Sequence, residues 1–163
     1  MIVAIDFGIT NTDVALSNKS QYKFFSIPSK NANESFIDEI ISLVDIDITE
    51  ISQIVVTGGK SNELNESFKG VNLTKISETD AIGYGTKEIY KIENEPFITL
   101  SCGTGTACIH HQDGQFSYIG GIAVGGGTIS GLSKAILDSS SLEEITDLAL
   151  KGNRKNIDLL IGD

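Results

Sequence analysis

The chain has 163 residues, of which 40% are hydrophobic and 21% charged, a composition that favours one ordinary globular core over a disordered segment. Its formal net charge of −10 repels phosphate backbones and anionic lipid, so we expect neither nucleic acid nor a membrane surface as a partner. There is no apolar run of the roughly 20 residues that span a bilayer, and no signal-peptide pattern, so we expect a cytoplasmic protein.

The first part of the chain predicts three short strands joined by tight turns, at residues 3–5, 14–17 and 21–28. A helix follows, with Asn33 as N-cap and apolar residues at helical spacing. Further on, the pattern predicts a strand, a short helix, a strand and a second long helix, at residues 51–57, 61–67, 71–77 and 78–91. Gly83 and Gly85 lie in this last helix and indicate close packing, because glycine costs helix stability.

The pattern then restarts, which predicts a duplicated α/β architecture. Three more strands, a glycine-rich turn and two helices are predicted, at residues 96–103, 106–111, 116–121, 128–137 and 141–152. Ser141 is the expected N-cap of the last helix, with Glu144 at the capping-box position. We predict a first unit at residues 1–92 and an incomplete second unit at 93–163. His110 and His111 are interpreted as surface strand residues rather than metal ligands, because neighbouring strand residues face opposite ways and cannot easily share a metal. Cys102 and Cys108 are interpreted as reduced thiols.

The motif "DFGIT" can hold a hydrated Mg²⁺ ion. A strand delivers the carboxylate of Asp6 to its tip, Gly8 permits a tight turn, and Thr10 adds a hydroxyl. The alternative is a hairpin turn whose Asp and Thr form only local hydrogen bonds.

Two glycine loops in the second half are candidate phosphate sites. "GTGT" follows an apolar strand and comprises Gly103, Thr104, Gly105 and Thr106; it can present successive N–H groups to a phosphate, or it is a plain hairpin turn. "GGIAVGGGT" leaves no side chains at Gly125, Gly126 and Gly127, and Thr128 stands at the start of a helix, where free N–H groups favour an anion.

Two strand-to-helix corners complete the candidate site. "TGG", at Thr57, Gly58 and Gly59, allows a substrate or a helix to approach closely. "SETDA" carries Glu78 and Asp80. A carboxylate there can take the proton from an attacking hydroxyl, although acidic residues in a first helical turn also complement the helix dipole.

In this order the motifs resemble those of the actin-like, ribonuclease H-like fold shared by acetate and sugar kinases, heat-shock ATPases and actin. The specific resemblance is to type II pantothenate kinases. It rests on "AIDFGIT", "VTGG", "ETDA", "GTGT", "GGIAVGGGTISGL" and "ITDLALKGNRKNIDL", the last at residues 145–159. The resemblance covers essentially the whole chain, and it implies that the second unit lacks further strands and the loops that grip adenine.

The resemblance implies transfer of the γ-phosphoryl group of ATP, with Mg²⁺, to a primary hydroxyl of pantothenate or a related compound, in coenzyme A biosynthesis and by a homodimer. Glu78 would be the general base and Asp6 would organise the Mg²⁺ ion. The residues implied to bind ATP phosphates are Asp6, Gly8, Thr10, Gly103, Thr104, Gly105, Thr106, Gly125, Gly126, Gly127 and Thr128. Those implied to bind the acceptor substrate are Thr57, Gly58, Gly59, Tyr118 and Gly121.

Three positions depart from the family's pattern. Asp13, Ala107 and Tyr118 stand where the resemblance leads us to expect lysine, serine and arginine. Loss of a guanidinium and a hydroxyl removes evident partners of a carboxylate and an amide. A degenerate or non-catalytic nucleotide- or metabolite-binding module is therefore the second hypothesis. The third hypothesis is a hydantoinase- or oxoprolinase-like ATP-dependent subunit, because "NTDVAL" resembles the start of those proteins.

Overall fold

A computed structural model describes residues 1–18, 21–139 and 141–156. The strands are β1 Ile2–Phe7, β2 Asn11–Asn18, β3 Gln21–Pro28, β4 Gln53–Thr57, β5 Ser67–Phe68, β6 Val71–Lys75, β7 Phe97–Cys102, β8 Thr106–Gln112 and β9 Gln115–Ile122. The helices are α1 Glu34–Leu43, α2 Glu78–Tyr90, α3 Gly126–Leu137 and α4 Leu142–Lys151, with short 3₁₀ helices at Ile48–Glu50, Ser61–Glu63 and Arg154–Asn156. In the described part of the chain, every helix is too short or too polar to span a lipid bilayer.

The first six strands form one mixed sheet in the order β3-β2-β1-β4-β6-β5, and the last three form a sheet in the order β7-β8-β9. Strand β1 pairs in parallel with β4, and β4 with β6, whereas β2 and β3 return antiparallel as a meander. The α/β fold class is therefore confirmed, as are all four long helices.

The short helix expected at residues 61–67 is wrong in its second half. The 3₁₀ helix ends at Glu63, and Ser67 begins the hairpin of β5 and β6. Lys69 and Gly70 both have positive φ, 48° and 84°, as a two-residue type I′ hairpin turn requires. The buried side chain of Phe68 anchors the hairpin to the core.

The main core lies between α1 and one face of the six-stranded sheet. Alternation along β1 buries Val3, Ile5 and Phe7 on that face. Helix α1 covers them with the residues of its apolar stripe, Phe36, Ile37, Ile40 and Ile41. Asn33 caps this helix as predicted, since its side-chain oxygen accepts a hydrogen bond from Phe36 N at 2.9 Å. Each fully buried side chain of this size contributes roughly 1.5–3 kcal/mol, so the end of β1 is held firmly in place.

The helix α4 N-cap is also confirmed, although its capping box is not reciprocal. Ser141 Oγ accepts a hydrogen bond from Glu144 N, as predicted. The carboxylate of Glu144 instead accepts a hydrogen bond from Ser139 Oγ.

Close packing divides the chain into two compact units. One comprises Met1–Ser101 with Ala107–Gly120, and the other comprises Cys102–Thr106 with Gly121–Asp163. The predicted boundary between residues 92 and 93 separates two repeats of strand and helix order. Compact units do not test such a repeat, so this boundary stays a prediction.

His111 is a buried residue, contrary to the surface position expected for both histidines. Its side chain is 2% exposed and stacks on Phe97, with ring centroids 4.7 Å apart, while Phe116 lies 4.9 Å away. Its Nδ1 lies 3.3 Å from the carbonyl oxygen of Glu95. His111 follows Ile109 on the same face of the central strand β8, and this face is buried.

Helix α2 packs against the same aromatic cluster through Gly83. A Cβ at Gly83 would lie 2.2 Å from the ring of Phe116, whereas a Cβ at Gly85 would meet nothing within 4 Å. Tyr84 also contacts Phe116, edge to face at 4.8 Å. The expected close packing of α2 is thus present at Gly83 and absent at Gly85.

We expect Gly83→Ala to lower the free energy of unfolding by about 1–2 kcal/mol, because overpacking of 1–3 kcal/mol exceeds the helix-propensity gain of about 1 kcal/mol. Gly85→Ala is the matched control and should raise the free energy of unfolding by about 0.5–1 kcal/mol. Urea unfolding followed by circular dichroism measures both. Two changes of the same sign would contradict the packing argument, as would a Phe116→Ala background in which Gly83→Ala remains costly.

Candidate active site

Three parallel strands end at the same edge of the six-stranded sheet, and each is followed by a predicted motif. Asp6 of β1 is in register with Thr57 of β4, and Val56 of β4 with Lys75 of β6. Ile76 N donates to Val56 O at 2.9 Å, which extends the pairing to the residue two before Glu78. In open α/β sheets ligands bind beyond the carboxyl ends of the strands. The edge therefore collects the predicted residues of the first compact unit.

The loop after β1 is tight and well supported. A Cβ at Gly8 would lie 2.4 Å from Asn11 O, so a side chain there would clash with backbone. Ser29, just beyond β3, ties the loop together: its Oγ donates to Gly8 O at 2.6 Å, and its N donates to Thr10 O at 3.0 Å. Strand β2 begins at Asn11, three residues earlier than predicted, so the turn is confined to residues 8–10.

The loop after β4 approaches Asp6 closely because Gly58 has no side chain. Gly58 has φ +89°, and a Cβ there would lie 2.5 Å from Phe7 O and 2.8 Å from Asp6 Oδ1. Ser61 Oγ donates to Gly58 O at 2.7 Å and closes the turn. Gly59 faces open space, and the buried hydroxyl of Thr57 has no hydrogen-bond partner among the described residues.

Three carboxylates lie within electrostatic range at this edge. Burial raises the pKa of Asp6 above its ordinary value, and the charges of Glu78 and Asp13 raise that pKa further. Asp13 stands directly opposite Asp6 in the antiparallel register, an arrangement that is unfavourable for two like charges. A bound cation would offset this repulsion.

The edge fits a Mg²⁺ ion held jointly by protein and nucleotide. No cluster of three or more His, Cys, Asp or Glu side chains in the described ranges could hold a metal by itself. Mg²⁺ in phosphoryl-transfer sites needs only one or two carboxylates, together with waters and substrate phosphates. The half-buried carboxylate of Asp6, repelled by two neighbours, is the residue suited to this role.

A cavity of about 620 Å³ extends from this edge along the sheet face that α1 does not cover. Asp6, Asp13, Ser26 and Thr57 are its polar residues, and most of its lining is apolar. Alternation explains why the polar groups lie on this face, because Asp6, Asp13 and Thr57 are each next to a core residue of their own strand, namely Ile5, Val14 and Val56.

The second compact unit contains the two glycine loops in direct contact. A Cβ at Gly125 would lie 2.5 Å from Gly105 O and 2.8 Å from Gly103 O. Gly127 N donates to Gly103 O at 3.4 Å, and Thr106 Oγ1 donates to Val124 O at 2.7 Å. The loops predicted separately thus form one backbone-rich surface at the start of α3.

Two hydroxyls of this surface are used within the loops. Thr128 Oγ1 donates to Ala123 O at 2.9 Å, and Thr106 is engaged as described above. Backbone N–H groups, rather than these hydroxyls, are therefore the groups that the surface can offer to an anion. Thr104 packs against the position of Gly127, where a Cβ would lie 2.9 Å from its Cγ2.

The departures from the family's pattern occupy strand positions. Tyr118 lies on β9 with a 60% exposed side chain. Gly121 lies on the same strand, and Ala107 is half-buried on β8. The roles predicted for Tyr118 and Gly121 remain predictions, as do those of the other site residues.

The sequence reasoning missed a small polar network beside the first loop. Ser29 Oγ lies 3.2 Å from Thr12 Oγ1, and Lys60 Nζ lies 3.4 Å from Ser29 Oγ. Lys60 follows "TGG" directly, so its position at a strand-to-helix corner was a usable signal. No sequence pattern indicated its contact with Ser29, which lies 31 positions earlier in the chain.

Comparison with known proteins finds a family model and curated relatives to which this chain is similar. The family model described as Fumble matches residues 84–163. A type II pantothenate kinase from Bacillus anthracis is 33% identical over 99% of this chain, and one from Staphylococcus aureus (strain USA300) is 29% identical over 99%. The chain spans 58% of the length of each of these two relatives.

Solved structures with the same fold include two with bound nucleotide analogues. The activator of the 2-hydroxyisocaproyl-CoA dehydratase from Clostridium difficile, with bound ADPNP, has a TM-score of 0.66 at 15% identity, over 99% of this chain and 60% of that one. A ROK family glucokinase from Streptomyces griseus, in complex with glucose and AMPPNP, has a TM-score of 0.63 at 12% identity, over 93% and 71%. At these identities the likeness shows the fold alone.

Proposed function

We propose that this chain, which is similar to type II pantothenate kinases over 99% of its length, transfers the γ-phosphoryl group of Mg-ATP to a primary hydroxyl of pantothenate or a related compound. The observation that carries this proposal is the edge where β1, β4 and β6 end. At this edge lie Asp6 near the end of β1, Gly58 just after β4 and Glu78 shortly after β6. Burial raises the pKa of Asp6, and the charge of Glu78 raises it further.

In the proposed reaction an acceptor hydroxyl oxygen forms a bond to the γ-phosphorus. The bond from that phosphorus to the β–γ bridging oxygen breaks, and ADP leaves. The hydroxyl proton passes to the carboxylate of Glu78. Asp6 would hold the Mg²⁺ ion, which when bound neutralises charge on the phosphoryl oxygens.

The remaining residues bind and orient. Gly58 keeps a side chain away from the carboxylate of Asp6, and Gly8 lets the loop after β1 turn tightly against Asn11 O, so that the backbone here can approach a phosphoryl group. In the second unit we propose that N–H groups within Gly103–Thr106 and Gly125–Thr128 bind phosphate oxygens, as helix N-termini and glycine loops do elsewhere. The N–H groups of Gly103, Gly125 and Gly127 donate within the loops, to Gly105 O, Thr128 Oγ1 and Gly103 O, so the others are the ones proposed to bind. Catalysis of this kind is mainly positioning and charge neutralisation.

The proposal extends to the setting of the reaction. We propose coenzyme A biosynthesis in the cytoplasm and a homodimer, in line with the family resemblance. Strand β9 lies at the edge of its sheet and exposes Tyr118, Ile119 and Ile122. Exposed edge strands are commonly covered by pairing with another chain.

Calorimetry with Mg-ATP, followed by ³¹P NMR of a mixture with pantothenate, tests the function. We expect Mg-ATP to bind, EDTA to weaken that binding, and a phosphate ester of the acceptor to appear. A neutral pantothenate analogue, with hydroxymethyl in place of the carboxylate, tests the acceptor's class. Preference for the neutral analogue is the result expected if Asp13, opposite Asp6, repels the carboxylate of pantothenate. Failure to bind Mg-ATP would contradict the proposal.

A second candidate is nucleotide binding without phosphoryl transfer. The like charges of Asp13 and Asp6, placed directly opposite each other, favour it, since an anionic acceptor such as pantothenate would meet their repulsion in addition to that of the bound nucleotide. Mg-ATP binding without product from any hydroxyl acceptor would support this candidate.

A further inference from the structure

Lys60 directs its ammonium toward the first phosphate loop through Ser29. Its Nζ donates to Ser29 Oγ at 3.4 Å, and Ser29 Oγ donates to Gly8 O at 2.6 Å. Since the single hydroxyl hydrogen of Ser29 is used on Gly8, Thr12 Oγ1 is the donor in its 3.2 Å contact with Ser29. The ammonium is therefore two hydrogen bonds from the backbone of the loop that follows strand β1 and contains Gly8 and Thr10.

The contacts of Lys60 differ from those of five other lysines. Other lysines of the described ranges hydrogen-bond a carboxylate or a backbone carbonyl away from this loop: Lys30, Lys69, Lys75, Lys91 and Lys134. Lys60 bonds a neutral hydroxyl, and no ion pair of Lys60 occurs among the described residues. Its positive charge thus remains unneutralised.

The edge needs a positive charge because its own carboxylates oppose an anionic ligand. Asp6 stands directly opposite Asp13 in the antiparallel register, and Glu78 begins the helix that follows the neighbouring strand β6. A γ-phosphoryl group brings further negative charge. Lys60 follows the neighbouring parallel strand β4, directly after Gly58, whose missing side chain lets this loop approach Asp6, and Gly59, which faces open space.

We propose that Lys60 binds the γ-phosphoryl group of the nucleotide and supplies the charge that offsets these carboxylates. This inference rests on the proposed function. Ser29 holds the lysine beside the loop in the absence of nucleotide, and the flexible lysine stem lets the ammonium move the short distance to a phosphoryl oxygen.

Calorimetry on the full 163-residue chain tests the inference with Mg-ATP and Mg-ADP as probes. Lys60→Met should weaken Mg-ATP binding about tenfold and Mg-ADP binding less than about threefold, because only ATP carries the γ-phosphoryl group. Lys60→Arg keeps the charge and should stay within about threefold of wild type for both. Lys60→Met should also reduce the salt dependence of Mg-ATP binding.

The matched control is Lys23→Met. Lys23 is exposed on β3, opposite Leu16 and toward the other end of the sheet, and this variant should leave both affinities unchanged. Lys60 is exposed as well, so its substitution should change the free energy of unfolding by less than about 0.5 kcal/mol.

The outcomes separate this inference from the function on which it rests. If wild type binds no Mg-ATP, the proposed function fails and the inference fails with it. If wild type binds and Lys60→Met weakens ATP and ADP equally, or neither, the assignment to the γ-phosphoryl group is overturned. Unchanged nucleotide affinity with weakened acceptor binding would instead assign Lys60 to an anionic group of the acceptor, and would also overturn it.

Discussion

Glu78→Gln should lower the rate of phosphoryl transfer by about 10²- to 10⁴-fold, the contribution typical of a general base, while Mg-ATP affinity stays within about twofold. Glutamine preserves the size and polarity of the side chain but cannot accept the hydroxyl proton. Glu78 is the first residue of α2 and follows the N-cap Ser77, so it lies at the sheet edge with Asp6. Single-turnover kinetics with ATP measures the effect on the chemical step.

Asp80→Asn is the control that separates catalysis from helix stabilisation. Asp80 lies in the same first turn, where its N donates to Ser77 Oγ at 3.1 Å and its carboxylate accepts from Ser77 Oγ at 2.7 Å. Removal of an acidic charge near a helix N-terminus costs about 0.3–1 kcal/mol, so both variants should lose a similar, small amount of stability. If Glu78→Gln also retains the wild-type rate, the carboxylate serves only the helix dipole, and the base assignment is wrong.

The same pair of variants gives a readout that does not depend on activity. The charge of Glu78 is one of the causes that raise the pKa of Asp6, and Asp80 is not among them. Glu78→Gln should therefore lower the pKa of Asp6 toward its ordinary value, and Asp80→Asn should not. Because a raised folded-state pKa makes this carboxyl's contribution to stability fall as the pH rises through that pKa, the glutamine variant should lose less stability over this pH range. NMR titration of the Asp6 carboxyl measures the shift.

The sequence could predict the loops because each follows a local rule. An apolar strand that ends in glycine or in a carboxylate, as at Gly8, Gly58 and Glu78, is readable within a few residues. The parallel pairing that collects these ends is a consequence of the α/β order. Local patterns thus predicted the strand ends, and the topology brought them together.

What the sequence could not predict depends on contacts between distant residues. The link from Lys60 to Ser29 joins residues from two separate strand ends, and no spacing indicates it. His111 was misassigned because alternation within "HH" shows that two side chains face opposite ways, but not that a face of the central strand is covered. The turn at Lys69 and Gly70 was missed because lysine is an unusual choice for positive φ.

The steric contacts of the glycine loops give the second large expected effect. Gly125→Ala should cost about 3 kcal/mol or more of local stability, at or above the top of the usual range for overpacking. Its φ of −160° suits any residue, so the cost is steric rather than conformational. The new Cβ would meet only backbone atoms, at 2.5 Å from Gly105 O, 2.6 Å from Gly105 C and 2.8 Å from Gly103 O. Backbone cannot rotate away as a side chain can, so the loop of residues 103–106 must move.

Gly126→Ala is the matched control, because a Cβ there would meet Gly103 O at 3.4 Å, close to ordinary contact. Amide hydrogen exchange of residues 103–106 should rise sharply in the Gly125 variant and stay near wild type in the Gly126 variant. If backbone N–H groups of this surface bind phosphate, the Gly125 variant should also lose Mg-ATP binding, although no ionisable group has changed. If the Gly125 variant loses protection from hydrogen exchange but still binds Mg-ATP, this surface has a structural role only. The phosphates must then bind elsewhere.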